Sequence, residues 1–290
     1  MSIDYLLHIA TIVCINSILA LALQFKMGIA GLINLGLIGL FAVGSYSSAL
    51  LSLNGLPFLY TFIISSLISA VFGLLIGILT KKIKADYLAL ATLAFHYLVH
   101  AVLLNEISLT NGALGLKNIP KPMILGFNVG NNWSFFILTI FMLFSVYLVL
   151  KAIMTSHFGL VLQSIRDNEL AVKVLGIDTF QYKNKAWFFS SFLAGLAGCL
   201  FAYFITFIDP FSFTINQLIL YICFVVMGGL GSLHGTVVAT IVLTIFSESL
   251  RFLEFPTELA GSVTNSLYAL ILYTLLIKKP KGFFGNIKLQ

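Results

Sequence analysis

The sequence predicts an all-α integral membrane protein, a polytopic bundle of about eight or nine transmembrane helices with broken or half helices among them. Three observations support this fold class: 60% of the 290 residues are hydrophobic, 9% are charged, and the mean hydropathy is +1.06. Soluble domains carry about 25% charged residues and about 45–50% apolar ones. Lipid must therefore solvate much of the surface, and we expect residues 1–290 to form a single transmembrane domain.

Six apolar runs are long enough to cross a bilayer, which takes about 20 apolar residues because a helix rises 1.5 Å per residue. They cover residues 3–23, 28–53, 58–80, 86–104, 133–153 and 187–207. A β-barrel would instead alternate polar and apolar positions in segments of about ten residues. The continuous apolar character of these runs therefore predicts helices.

The C-terminal third is less regular. Residues 216–230 and 236–250 form shorter apolar segments around Gly228, Gly229 and Gly231, and residues 261–277 form another. Glycine-interrupted segments are typical of broken helices beside a transport path, because unpaired backbone is tolerated in a membrane only next to protein or water. Close helix packing also uses glycine, and it is the alternative for this break and for the glycines of residues 28–44.

The basic residues predict the orientation of the chain. With the N-terminus outside, 13 of the 16 Lys and Arg residues fall in inner segments, and only Lys117, Lys121 and Arg251 lie outside. Cytoplasmic loops carry the excess of Lys and Arg in membrane proteins. We therefore expect a cytoplasmic C-terminus, an outer connection at about residues 105–132 and an inner connection at about residues 154–186.

The inner connection contains a predicted short helix at residues 168–175. Asp167 is the expected N-cap and Gly176 the expected C-terminal stop. One helical face carries Leu170, Ala171, Val174 and Leu175, while Arg166, Glu169 and Lys173 are expected to stay in solvent. Such an amphipathic helix lies in the lipid interface, docks in the groove of a partner or covers its own bundle, and the sequence leaves these three readings open.

Other polar residues give weaker signals. Cys14, Cys199 and Cys223 are expected to be small buried side chains rather than disulfide or metal partners. Asn16 and Asn34 are expected to bridge helices by hydrogen bonds. His96 and His100 share one helical face, but no neighbouring carboxylate or thiol completes a metal site, so none is predicted. Glu248 and Arg251 are spaced for an ion pair.

Five stretches in order along the chain resemble the LivM-type permeases of bacterial branched-chain amino acid ABC transporters. They are residues 28–36 with Gly44, Ser45 and Tyr46; Asp86, Tyr87 and Leu88 through Phe95; Ser164 through Ile177; Gly228 through Ser232 with Gly235; and Lys279 through Gly285. Together they cover nearly the whole chain.

The resemblance implies a subunit of an importer in the bacterial inner membrane. Its partners would be two ATP-binding cassette subunits, a second homologous permease subunit and a periplasmic substrate-binding protein, with no nucleic acid. ATP and Mg would bind to those partners, since this chain has no phosphate-binding Gly-x-x-x-x-Gly-Lys motif and no catalytic residues are expected in it. Alternating access would move branched-chain or other small apolar amino acids.

The resemblance also assigns residue roles. The ATPase-coupling residues would be Arg166, Asp167, Asn168, Glu169, Leu170, Ala171, Val174, Leu175 and Gly176. The translocation pathway residues would be Asn34, Gly36, Tyr46, Tyr87, Gly228, Gly229, Gly231 and Ser232.

Two alternatives remain at this point. A related ABC permease could carry a sugar, a nucleoside or urea by the same mechanism. An ion-coupled secondary transporter would also have many spans and broken helices, but it is expected to place a carboxylate near mid-membrane. No acidic residue lies deep in any predicted span.

Overall fold

The computed structural model describes residues 3–81, 83, 85–124, 127–250, 266, 270, 273–274 and 282–285. The long helices are α1 (Ile3–Gln24), α2 (Leu37–Leu53), α3 (Phe58–Leu79), α4 (Ala85–Asn105), α6 (Asn132–Thr155), α7 (His157–Val174), α8 (Thr179–Ile205), α9 (Ile215–Gly228) and α10 (Leu233–Leu250). The outer connection holds α5 (Ile107–Thr110), a 3-10 turn (Gly112–Leu114) and the antiparallel strands β1 (Met123–Ile124) and β2 (Phe127–Asn128).

The helices confirm the predicted fold class. Six of them are long and apolar enough to span a membrane: Ile3–Ile29, Phe58–Leu79, Tyr87–Asn105, Asn132–Thr155, Thr179–Ile205 and Pro210–Gly228. Two shorter apolar helices, Leu37–Leu53 and Leu233–Ser249, join them. The predicted segment at 261–277 lies outside the described residues except at four positions, all of them helical.

The second predicted span, residues 28–53, is not one helix. α1 continues into a π-helix at Phe25–Ile29, the chain is non-helical from residue 30 to residue 36, and α2 begins at Leu37. Hydropathy does not locate this break, because apart from Asn34 its residues are Ala, Gly, Leu and Ile, which keep the average apolar. The sequence reading also places the start of the sixth span at residue 187, although α8 begins eight residues earlier, at Thr179.

The helix α8 lies at the centre of the bundle and packs closely on α2 and α3. A Cβ on Gly44 of α2 would lie 2.4 Å from the Cα of Gly195 in α8, and a Cβ on Gly195 would lie 2.6 Å from the Cβ of Ser69 in α3. Ser45 donates a hydrogen bond to the Gly198 carbonyl at 3.0 Å. Small residues let membrane helices approach this closely, so the packing reading of Gly44 is confirmed.

The polar and thiol side chains within the spans follow most of the expectations. All three cysteines are buried. Asn16 of α1 bridges to α9 by accepting a 2.8 Å hydrogen bond from the Tyr221 hydroxyl. Within the described ranges Asn34 forms no hydrogen bond to a second helix: its Oδ1 accepts from the backbone N–H of Gly36, which makes it a local turn residue. Arg251, the expected partner of Glu248, lies outside the described residues.

Candidate functional site at the glycine junction and α7

The break between α9 and α10 is a true interruption of the helix. α9 ends at Gly228, and Gly229 and Gly231 have φ angles of 95° and 83° before α10 begins at Leu233. These φ values are accessible to glycine and strained for other residues. The predicted glycine interruption is confirmed.

The two helices on either side of this break touch backbone to backbone. A Cβ added to Gly228 would lie 2.4 Å from the Gly235 carbonyl carbon, and a Cβ on Gly235 would overlap the Gly228 carbonyl. Real Cβ atoms do not approach backbone this closely, and no rotamer change can relieve a clash with main chain. The glycines of the break therefore serve packing as well as chain reversal.

The end of α1 holds this break in place. Gln24 donates a 3.0 Å hydrogen bond from Nε2 to the Gly229 carbonyl. A Cβ on Gly28 would lie 2.7 Å from the backbone nitrogen of Gly231. We call these two contacting segments, residues 24–31 and 228–232, the glycine junction.

The C-terminal stretch of the chain reaches the same place. The Phe283 N–H donates a 2.9 Å hydrogen bond to the Met227 carbonyl at the end of α9. A Cβ on Gly282 would lie 2.6 Å from the Cα of Gly229. Residues far apart in sequence therefore converge on the glycine junction.

Arg166 links α7 to the glycine junction. Its Nη1 donates a 2.8 Å hydrogen bond to the Gly28 carbonyl, and its Cγ occupies the space that a Cβ on Gly31 would need. The guanidinium also pairs with the Asp167 carboxylate at 2.8 Å. The prediction that Arg166 stays in solvent is wrong, because only 17% of its side chain is exposed. The planar guanidinium instead donates to a backbone carbonyl within the bundle.

The helix α7 consists of two helical pieces joined at Asn168. This residue has extended backbone angles (φ −158°, ψ 97°), and its Oδ1 accepts a 3.0 Å hydrogen bond from the N–H of Ala171. Asn168 is thus the N-cap of the second piece, one position after the predicted cap Asp167, which pairs with Arg166 instead. The predicted stop is confirmed, since Gly176 follows the last turn with a φ of 78°.

The second piece of α7 exposes its apolar face. Leu170, Val174 and Leu175 are 73%, 87% and 77% exposed, and Ala171 is exposed as well. Val172, on the opposite side, is buried in a small cluster with Val161 and Ile165. The helix therefore does not cover its own bundle with the predicted face. That face, residues 170, 171, 174 and 175, is called the α7 apolar face below.

Glu169 fastens the second piece of α7 to the start of α8. Its carboxylate forms ion pairs with Lys183 and Lys173, the latter at 3.0 Å, and accepts a 3.1 Å hydrogen bond from Thr179. Partial burial alone would raise the pKa of Glu169, but the hydrogen bonds and the positive charge of Lys183 lower it to about 2. The α7 apolar face is thus held in a defined position while remaining exposed.

The other predicted pathway residues do not gather at the glycine junction. Asn34 and Gly36 face α4, where the Leu35 N–H donates to the Thr92 hydroxyl at 3.0 Å. Tyr46 is buried with its ring 5.9 Å from that of Phe213. Tyr87 is 64% exposed on α4.

Three buried polar groups lie in this region, and the sequence reading named only Asn34 among them as a pathway residue. Lys26 is fully buried with its Nζ against the Trp187 ring. The sequence alone had placed it among the basic residues of the inner connections. Within the described part of the chain, its Nζ, the Oε1 of Gln24 and the Nδ2 of Asn34 have no hydrogen-bond partner. The available signal for Gln24 and Lys26 was that the gap between the runs 3–23 and 28–53 is only four residues long, so its polar side chains could lie within the membrane, where they are functional candidates.

Comparison with known proteins identifies the family. The family model for the permease component of branched-chain amino acid transport systems matches residues 5–277. The high-affinity branched-chain amino acid transport system permease protein LivM of Escherichia coli strain K12 is 30% identical, across 97% of this chain and 70% of that protein. The chain belongs to this permease family.

Two further relatives show the breadth of the family. A probable branched-chain amino acid transport permease protein LivM of Methanocaldococcus jannaschii is 25% identical over 97% of this chain and 94% of its own length. A nucleoside ABC transporter permease protein NupC of Lactococcus lactis subsp. cremoris is 27% identical over 59% of each chain.

As a member of this family the chain is a multi-pass permease component and not an enzyme. Permeases of ABC transporters work in general with ATP-binding and substrate-binding partners. His96 and His100 have ring centroids 6.3 Å apart, and no group of three or more potential metal ligands occurs in the described ranges.

Proposed function

We propose that this chain is the translocation subunit of an ABC importer for branched-chain or other small apolar amino acids, and that it alternates between outward and inward access as separate ATPase subunits close and open. The α7 apolar face, which the described chain leaves uncovered, carries the proposal together with the family assignment. Amphipathic helices bind partners by placing their apolar face in a hydrophobic groove of the partner.

The contacts of α7 suggest how a push would reach the membrane. Arg166 joins α7 to the Gly28 carbonyl, and Glu169 joins it to Lys183 of α8. An ATP-binding subunit that moved the α7 apolar face would therefore act on the end of α1 and on the central helix α8 at once. Two such subunits, a second homologous permease and a periplasmic substrate-binding protein complete the proposed assembly.

The glycine junction and its neighbours offer polar groups to an amino acid. The amide of Asn34 and the Nζ of Lys26 are donors for a carboxylate, and Oε1 of Gln24 is an acceptor for an ammonium group. All three are buried and have no hydrogen-bond partner among the described residues. We propose that Asn34, Gly36, Tyr46, Tyr87, Gly228, Gly229, Gly231 and Ser232 contribute to the pathway when the helices rearrange.

The proposed orientation is N-terminus outside and C-terminus cytoplasmic, in a bacterial inner membrane. α1 then runs inward, so the glycine junction and α7 lie at the inner face with the ATPases. Since all three native cysteines are buried, Lys281→Cys can be labelled in the otherwise native protein. Labelling by an impermeant reagent only after the membrane is opened supports the orientation, and labelling from the periplasmic side contradicts it.

The transport assay uses proteoliposomes that hold this chain with its candidate partner permease, ATPases and binding protein. We expect ATP-dependent uptake of labelled leucine and no uptake driven by an ion gradient alone. The nucleoside permease relative makes a nucleoside the second substrate to test. Uptake of nucleoside but not leucine would retain the importer and change its substrate, whereas ion-driven uptake without ATP would overturn the proposal.

A further inference from the structure

A basic cavity lies beside the glycine junction, between α6, α7 and the start of α10. Its volume is about 540 Å³, and its lining includes Lys151, Arg166, His234 and Tyr147. No Asp or Glu is among its described lining residues, although Asp167 pairs with Arg166 at its edge. The cavity therefore favours an anion.

Lys151 supplies the exposed positive charge of this cavity. Its side chain is exposed near the end of α6, and its ammonium has no ion pair within the described portion of the chain. His234, by contrast, is held by the Tyr147 hydroxyl at 2.6–2.8 Å. A lysine at this end of a membrane helix lies at the level of lipid headgroups.

A separate, mainly apolar groove lies further along the same two helices, and Glu248 is among its lining residues. It has a volume of about 410 Å³, and Ile140 of α6 together with Ile241 and Ile245 of α10 form two of its walls. Residues of α1, including Cys14, form its floor. Both α6 and α10 pack on α1, so the groove follows the seam between them.

The spacing along the two helices connects the cavity to the groove. Ile140, Phe144, Tyr147 and Lys151 of α6 lie at i, i+4, i+7 and i+11, and so do His234, Val238, Ile241 and Ile245 of α10. Each set forms one continuous stripe on its helix. Phe144 and Val238, between the two sites, are 58% and 43% exposed.

The length of the seam fits one leaflet of a bilayer. Eleven residues separate Ile140 from Lys151, which is about 16 Å at 1.5 Å per residue. Half of a hydrocarbon core about 30 Å thick is about 15 Å. An acyl chain whose headgroup sat in the basic cavity would therefore reach the beginning of the apolar groove.

We propose that the seam between α6 and α10 binds one anionic phospholipid, with its phosphate in the cavity of Lys151, Arg166 and His234 and an acyl chain along Phe144, Val238, Ile140 and Ile241. Basic pockets between transmembrane helices on the cytoplasmic side are where anionic headgroups bind. Only the assignment of this lipid to the inner leaflet rests on the orientation that we proposed above. A lipid beside Arg166 and Gly231 would contact the junction that α7 moves.

The test measures lipid binding to the purified, delipidated full chain by native mass spectrometry. Phosphatidylglycerol and phosphatidylcholine with the same acyl chains are compared, and inorganic phosphate distinguishes a free anion from a lipid. We expect one phosphatidylglycerol per chain, bound at least tenfold more tightly than phosphatidylcholine. Equal binding of the two lipids, or saturation by inorganic phosphate with no gain from the acyl chains, would overturn the proposal.

Two matched pairs of variants locate the site. Lys151→Gln is expected to weaken phosphatidylglycerol about fivefold, the contribution of one basic residue near an anionic surface, and to leave phosphatidylcholine unchanged. Ile140→Trp, which fills the groove, should weaken both lipids. Lys185→Gln on α8 and Ile137→Trp on the exposed surface of α6 are the controls and should change neither.

The same measurement on the chain assembled with its partner permease tests whether the seam between α6 and α10 is filled by that protein rather than by a lipid. Retention of the bound phosphatidylglycerol supports the lipid, and its loss on assembly shows that the partner fills the seam and overturns the proposal. Because no ATPase or transported substrate is present, a failed transport assay would leave this result unaffected. Unchanged melting temperatures of the lipid-free variants show that they are folded.

Discussion

The glycine junction and the second piece of α7 both depart from the pattern of a plain apolar helix, and they do so for opposite reasons. At the junction, backbone packs on backbone so closely that Gly228 and Gly235 have no room for a Cβ. In α7, Leu170, Val174 and Leu175 extend into open space. Among the described residues, one region is closely packed and the other leaves an apolar surface exposed, which we propose a partner buries.

The largest expected effect comes from disturbing the close packing at the glycine junction. Gly228→Val drives a side chain into the Gly235 backbone and should lower the free energy of unfolding by about 3 kcal/mol, the upper end of the usual cost of overpacking. Gly55→Val is the control, because Gly55 has a φ of 83° but open space around it, so it should cost only about 1–2 kcal/mol. Unfolding of the purified proteins in detergent measures both. Equal losses would show that close packing is not what requires glycine at position 228.

The next effect concerns the connection between the two regions. Arg166→Lys retains the positive charge but loses the planar donor that reaches the Gly28 carbonyl, a hydrogen bond from a charged group worth about 1.5–3 kcal/mol. We expect leucine uptake per ATP hydrolysed to fall about tenfold while ATPase subunits still bind. Lys185→Arg, a basic exchange on α8 away from the junction, should have no effect. Unchanged uptake in Arg166→Lys would remove this contact from the coupling path.

The smallest effect concerns the position of the α7 apolar face. Because the folded protein holds the pKa of Glu169 at about 2, below its ordinary 4.5, its ion pairs stabilise α7 at neutral pH. That stabilisation weakens as the pH falls below about 4.5 and is lost near pH 2. About a third of the side chain is exposed, so screening by solvent and salt limits the gain.

Hydrogen exchange of the amides at residues 169–176 measures this effect. Glu169→Gln should exchange faster than the native protein at neutral pH, with the difference shrinking steadily between pH 4.5 and pH 2. Glu106→Gln in the outer connection is the matched control. A difference that stays constant over this range would mean that the ion pairs do not hold the second piece of α7.

The sequence predicted those features that depend on local pattern. Hydropathy located the long spans, the glycines at 228–231 located the break, and Gly176 located the end of α7. The exposed set at positions 170, 171, 174 and 175 followed from helical periodicity. Only the structure shows that this face is exposed, because helical periodicity identifies an apolar face but not whether other residues cover it.

The features that the sequence did not predict depend on partners far away along the chain. Arg166 looked like a solvated residue because the Gly28 carbonyl it binds lies 138 positions earlier. Lys26 looked like a loop residue because nothing nearby in sequence reveals the Trp187 ring. The break after Ile29 was hidden because residues 30–36 contain only one polar side chain, Asn34, and so extend the apolar run.

Binding of the candidate ATPase subunits tests the central claim most directly. Leu170→Asp places a charge on the α7 apolar face, and Leu114→Asp is its control, since Leu114 in the outer connection is equally exposed at 73%. Co-purification of the ATPases with each variant is measured beside the melting temperature. We expect Leu170→Asp to lose the ATPases while keeping the melting temperature of the native chain, and Leu114→Asp to retain them. Full recovery of the ATPases with Leu170→Asp would contradict the account.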